Sequence, residues 1–179
     1  MKPNKDMMKG SDYAGQDVAG WIVTEKFDGF FARWTGERLL TREGVDYNAP
    51  EWFTKGLPRF ALDCEVFAGY GNRESLNSAH CWTDKARWHS VELILLDTPM
   101  GRGAYSERHA AIMNHLPERN GHIRIPKRWT CTGKPGLLEA LTGVKAKGGE
   151  GLVIRHPDAP YRVGRVQTML KVKPEFIHP

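Results

Sequence analysis

From Trp21 onward the sequence is cut into short β-forming runs by Gly, Pro and Asp-Gly pairs, and this punctuation excludes an all-helical fold. Trp21-Ile22-Val23-Thr24-Glu25-Lys26-Phe27 ends at Asp28-Gly29 and resumes as Phe30-Phe31-Ala32-Arg33-Trp34, which predicts a hairpin with Lys26 near its tip. Further strands are expected at 38–42, 61–68, 91–97, 151–155 and 168–173. The 91–97 run is the most apolar and is stopped by Thr98-Pro99. Helical spacing occupies less of the chain. A short helix is expected from Pro50, a longer one over 105–116 with Ser106 as N-cap and Pro117 closing it, and another over 135–147 ended by Gly148-Gly149. The expected class is therefore α+β, with largely antiparallel sheets flanked by helices. Residues 1–20 are polar and read as an arm or loop docked on a single domain spanning 21–179, with regular structure beginning at Trp21.

The 179 residues carry a net charge of +5 and fit one domain. No stretch approaches the roughly 20 apolar residues of a membrane span. The N-terminus has no apolar run behind its lysines, so the expectation is a soluble, cytoplasmic chain without a secretory signal. Cys64, Cys81 and Cys131 are far apart, which suggests neither a disulfide framework nor a zinc knuckle. The charge is uneven. From Arg119 onward there are 12 Lys and Arg against 4 Asp and Glu, while residues 1–118 are net −3. A late basic face suits a partner with phosphates, although a solvated surface has the same composition.

Common nucleotide and metal signatures are missing: there is no G-x-x-x-x-G-K-[ST], no G-x-G-x-x-G between strand and helix, and no H-E-x-x-H. The unusual residues are charges in or beside apolar strand runs, namely Lys26, Arg42, Glu65, Glu150, Lys171 and Lys173. A lysine in apolar company can lose its proton more readily and become a nucleophile. Asp28, two residues on, opposes that shift unless it points elsewhere. Two strand-borne carboxylates, Glu65 and Glu150, are the hard oxygen ligands that Mg²⁺ uses when it bridges a phosphate. Lys171 and Lys173 share a strand face and could grip one polyphosphate. Taken singly, each of these residues could equally be an exposed ion-pair partner.

Their order along the chain resembles the nucleotidyltransferase motifs of the ATP-dependent DNA ligases. Lys26-Phe27-Asp28-Gly29 is similar to the family's K-x-D-G, Thr41-Arg42-Glu43-Gly44 to S/T-R-x-G, and Leu62-Asp63-Cys64-Glu65 to the strand ending in its glutamate. Glu150-Gly151-Leu152-Val153-Ile154-Arg155 resembles the E-G motif, and Leu170-Lys171-Val172-Lys173-Pro174 the paired-lysine motif. Between motifs, 49–58 and 155–161 look like the minimal ligases of bacteria, phages and large viruses. The resemblance covers about Met7 to Pro174.

It implies an ATP-grasp-like nucleotidyltransferase fold, ATP and Mg²⁺ or Mn²⁺ as cofactors, and a monomer acting on nicked double-stranded DNA. Lys26 would be adenylated, and AMP would pass to the 5′-phosphate of the nick. Asp28 and Arg42 would bind ribose and the nick phosphate, Glu25 would belong to the cofactor site, Glu65 would contact ribose or metal, and Glu150 would hold the metal. Lys171 and Lys173 would hold the α-phosphate. The sequence departs from the family at Phe31, where an Arg is usual, with Arg33 two residues on as a substitute on the same strand face. Leu95 and Leu96 stand where an aromatic usually stacks on adenine. Only six residues follow Lys173, too few for the usual OB-fold, which is expected to be absent or supplied by a separate protein. Two alternatives remain: a degenerate module that binds DNA without sealing it, and an RNA ligase.

Overall fold

The structure, a computed structural model, describes residues 6–100 and 103–176. Residues 1–5 of the expected arm and 177–179 at the far end lie outside the described residues. Eleven strands are assigned among the described residues: β1 (Met8–Asp12), β2 (Ile22–Lys26), β3 (Phe30–Trp34), β4 (Leu39–Thr41), β5 (Leu62–Phe67), β6 (Glu92–Asp97), β7 (Arg119–Asn120), β8 (Ile123–Arg124), β9 (Arg128–Thr130), β10 (Gly151–Arg155) and β11 (Gly164–Val172). The α-helices are α1 (Glu51–Thr54), α2 (Tyr105–Met113) and α3 (Lys134–Ala146). The strands form a five-stranded sheet in the order β1-β11-β10-β2-β9 and a six-stranded sheet in the order β4-β3-β5-β6-β8-β7. All pairings are antiparallel except β1 with β11 and β6 with β8.

Each sheet buries one face in its own apolar core. In the five-stranded sheet Val23, Leu152, Ile154, Leu170 and Val172 pack with Leu137, Leu141 and Val144 of α3. In the six-stranded sheet Ala32, Trp34, Leu62, Cys64, Val66, Leu93 and Leu95 pack with Phe53, Trp88 and Ile112. Because a strand alternates faces, the residues between these are forced to the opposite face of each sheet. On the first sheet they are Lys26, Val153, Arg155 and Lys171; on the second they are Phe31, Asp63, Glu65 and Leu96. All eight line one cleft. The period-two pattern thus explains why charges interrupt apolar runs: one side of each strand is core and the other is cleft wall.

Three sequence expectations change here. β2 and β3 are not a hairpin, since each belongs to a different sheet. Phe27 is buried against Phe67, with ring centroids 5.2 Å apart, and beside Ile94, so Phe27-Asp28-Gly29 carries the chain from one sheet to the other. Regular structure begins at β1 rather than at Trp21: the polar Met8–Asp12 segment adds a parallel edge strand to β11, with Met8, Gly10 and Ser11 buried. Ser106 lies inside α2, whose N-cap is Ala104, and the Glu107 carboxylate accepts the Ala104 N–H at 2.9 Å.

Candidate active site

The cleft holds about 710 Å³. Lys26 ends β2 at the crossing between sheets, and its ammonium donates to Glu150 Oε2. Glu150 precedes β10, whose Gly151 lies opposite Lys26 in the ladder. A Cβ on Gly151 would meet the Val172 carbonyl oxygen at 2.3 Å, so glycine lets β10 lie against β11 directly beside the carboxylate. Glu150 Oε1 also lies 3.7 Å from Lys173 Nζ, which places one carboxylate between two ammonium groups. Lys171 turns to Asp12 of β1, 2.9 Å away, and this neighbour holds the Asp12 carboxyl below its ordinary range.

The opposite wall supplies Glu65 from β5. Its Oε1 accepts the Gly29 N–H at 2.6 Å, and a Cβ on Gly29 would meet the Val66 carbonyl oxygen at 2.2 Å, so only glycine permits this approach. Burial pushes the Glu65 carboxyl up to about 7, against the pull of the Gly29 N–H and Lys26, while Glu150 adds to the rise. Glu65 and Glu150 therefore sense each other's charge across the cleft. Asp28 and Arg42 line the same cleft; Asp28 is 3.1 Å from Arg73 Nε, and the Arg42 guanidinium lies 5.8 Å from the Phe31 ring centroid.

Of the residues singled out from sequence, Lys26, Asp28, Arg42, Glu65, Glu150 and Lys171 converge on the cleft, and Lys173 joins through Glu150. Glu25 does not. Its side chain takes the other face of β2 and accepts the Tyr70 hydroxyl at 2.8 Å. Arg33 is not free to replace an arginine at position 31 either, because its Nε is 2.5 Å from Asp63 Oδ1. Leu95 points into the core while Leu96 lines the cleft.

Several cleft residues escaped sequence reasoning because their partners are remote in the chain. Asp63 accepts from the Tyr161 hydroxyl, which in turn accepts the Met8 N–H at 3.1 Å, and burial raises the Asp63 carboxyl despite Arg33. Asp97 is gripped by Arg108 through two bonds of 2.9 and 3.0 Å. Arg155, by contrast, was already in view as the last residue of the E-G motif, and it is buried at the end of β10.

A divalent cation fits the donor set. Among the described residues no three His, Cys, Asp or Glu form a cage. Glu65 and Glu150 instead offer two carboxylates, which suits Mg²⁺ keeping waters and completing its shell with substrate phosphates.

Residues 30–173 match the family described as ATP dependent DNA ligase domain. A DNA ligase of Haemophilus influenzae is 34% identical over 171 residues, covering 95% of this chain and 64% of that protein, so the chain spans under two thirds of this relative. A solved structure of a Lig E DNA ligase, described as binding DNA with a minimal scaffold, superposes with a TM-score of 0.85 at 29% identity, over 94% of this chain and 68% of that one. The Chlorella virus DNA ligase-adenylate shares the fold, with a TM-score of 0.73 at 21% identity over 94% of this chain and 67% of that chain.

Proposed function

This chain belongs to the ATP-dependent DNA ligase domain family, and from that premise we propose that it is a catalytic core that adenylates itself on Lys26 and passes AMP to the 5′-phosphate of a nick in duplex DNA. The observation carrying this reading is the contact of the Lys26 ammonium with Glu150 in a cleft also lined by Glu65, Arg42 and Lys171. Lys26, stripped of a proton, attacks the α-phosphorus of ATP. An N–P bond forms, the bond from the α-phosphorus to the bridging oxygen breaks, and pyrophosphate leaves. A 5′-phosphate oxygen of the nick then displaces Lys26, and the 3′-hydroxyl finally attacks that 5′-phosphorus and expels AMP. Lys171 and Lys173 neutralise charge on the α-phosphate, Arg42 and Asp28 orient ribose and the nick phosphate, and Glu25 contributes only backbone, since its side chain faces away. Glu65 and Glu150 would hold Mg²⁺ or Mn²⁺, which withdraws charge from the phosphates when bound. The chain acts as a monomer on the nicked duplex.

The test is incubation of the purified chain with Mg²⁺ and ATP labelled at the α-phosphate. Covalent label is expected on the wild type and none on Lys26→Ala; an unlabelled wild type overturns self-adenylation. Phe31, whose ring lies between Arg33 and Arg42 at 5.9 and 5.8 Å, favours a second reading in which the chain binds nicked DNA without sealing it. Salt-sensitive DNA binding that survives Lys26→Ala, with no sealed product, would select that reading. Parallel assays on nicked DNA and nicked RNA separate a DNA from an RNA substrate.

A further inference from the structure

The cleft adjoins a second hollow of about 320 Å³, and Gly29, Phe31, Arg42 and Arg73 line both. Arg73 opens the short 3₁₀ turn Arg73–Leu76 that follows β5, and it lies outside the motifs that carry the ligase resemblance. Its Nε is 3.1 Å from Asp28 Oδ1, its guanidinium lies 4.6 Å from the Phe30 ring centroid, and both members of the ion pair are about half exposed. A pair so open to water gains little from its own contact, so Asp28 can give way to a stronger acceptor. Arg42, at the same junction, makes no salt bridge among the described residues. The second hollow adds His80 and one carboxylate, Glu43. Two guanidinium groups are therefore available to an anion where the hollows join.

The cations around Lys26 divide by sheet, and the division says which anion. Lys171 lies on β11, beside Val153 of β10, and Lys173 follows that strand, so both belong to the nucleophile's own sheet. Arg42 follows β4 and Arg73 follows β5, both strands of the other sheet. AMP transfer needs two phosphates brought together, the one on Lys26 and the one that accepts AMP, and their like charges repel. Ammonium groups on one wall serve the first, which leaves the guanidinium groups on the facing wall for the second. A terminal phosphate carries about −1.5 to −2 near neutrality, and a guanidinium fork meets it with two parallel N–H bonds, where an ammonium is a point charge.

Resting on the nicked-DNA reading above, we propose that Arg73 exchanges Asp28 for the terminal 5′-phosphate of the nicked strand and, with Arg42, holds that phosphate at the junction of the two hollows. The experiment is fluorescence anisotropy in EDTA without ATP, so that binding is read and no chemistry occurs. It compares a labelled duplex with a 5′-phosphate at the nick, the same duplex with a 5′-hydroxyl there, and an intact duplex, on the wild type, Arg73→Gln and Arg73→Lys. The wild type is expected to bind the 5′-phosphate nick about tenfold more tightly than the 5′-hydroxyl nick, and Arg73→Gln to cut that ratio to about threefold or less. Arg73→Lys, which keeps the charge and loses the fork, is expected to fall between them. The slope of log affinity against log salt for the 5′-phosphate nick should also drop by about one in Arg73→Gln. A structural role for Arg73 would weaken both nicked duplexes by the same factor, and an unchanged ratio overturns the proposal. The wild-type ratio stands even where Arg73→Gln fails to fold, and Arg73→Lys then supplies the variant arm. A wild type that binds nicked and intact duplex alike defeats the nicked-DNA reading itself, whereas a preference for the nick that ignores its 5′-phosphate defeats only this inference.

Discussion

The ion pairs at the mouth of the cleft and those at its floor use the same residue types to opposite ends. At the mouth, Lys26 and Lys173 share Glu150 and Lys171 holds Asp12, with side chains 22–50% exposed. At the floor, Arg108 and Asp97 are 2% and 4% exposed, and Arg33 and Asp63 are 11% and 8% exposed. Water at the mouth makes a carboxylate easy to exchange for a phosphate, because the pair loses little when it parts. At the floor neither partner can leave without stranding a buried charge, so those pairs tie the six-stranded sheet and α2 to the loop at Ala159 and Tyr161. Exposure, rather than charge type, separates the machinery from its frame.

The most damaging way to challenge this contrast is Arg108→Met. It strands Asp97 and removes the donor to the Gly103 and Ala159 carbonyls, both 2.8 Å away. A loss of about 3–5 kcal/mol is expected in urea unfolding, and a loss below about 1 kcal/mol would move this pair into the exchangeable class.

Glu65 tests the boundary between the two sets. With its carboxyl pushed from an ordinary 4.5 up to about 7, the folded chain holds the proton more tightly than the unfolded one. The contribution to stability is complete below about pH 4.5 and is lost as pH rises through about 7, by roughly 3 kcal/mol. Glu65→Gln can keep the acceptor for Gly29 without ionising. The wild type should therefore lose thermal stability relative to Glu65→Gln across that window, and parallel pH profiles would refute the buried-carboxyl assignment. Self-labelling of the wild type should climb over the same range as the carboxylate forms.

The smallest effect is expected at the mouth. Asp12→Asn frees Lys171 for phosphate and should lower the KM for ATP by less than about fivefold, with kcat unchanged. A fall in kcat at constant KM would instead make Asp12 a positioning residue for Lys171.

How much of this was legible follows from the range of each interaction. Strand periodicity reports which side of a strand is buried, and the sequence-predicted strand at 151–155 matches β10 while that at 91–97 differs from β6 by one residue. The Asp28-Gly29 turn signal was real but its meaning was not local. Whether the chain reverses onto β2 or crosses to a second sheet depended on where Phe67 and Ile94 would receive Phe27. β1 was missed because its short polar run acquires strand structure only from the β11 edge it joins. Glu25 and Lys26, adjacent in sequence, face opposite sides of one strand, and only one of them reaches the cleft.

The sequence by itself determined the set of charged residues, their alternation with core positions and the mixed class of the fold, because these depend on composition and on a period of two. Tertiary structure alone decided that two faces from different sheets meet across one cleft, that Glu150 sits between Lys26 and Lys173, and that Arg155 is buried without an acidic partner among the described residues. Those outcomes depend on contacts between residues remote in the chain, 124 positions apart for Lys26 and Glu150, and no local propensity encodes which partner a charge will find.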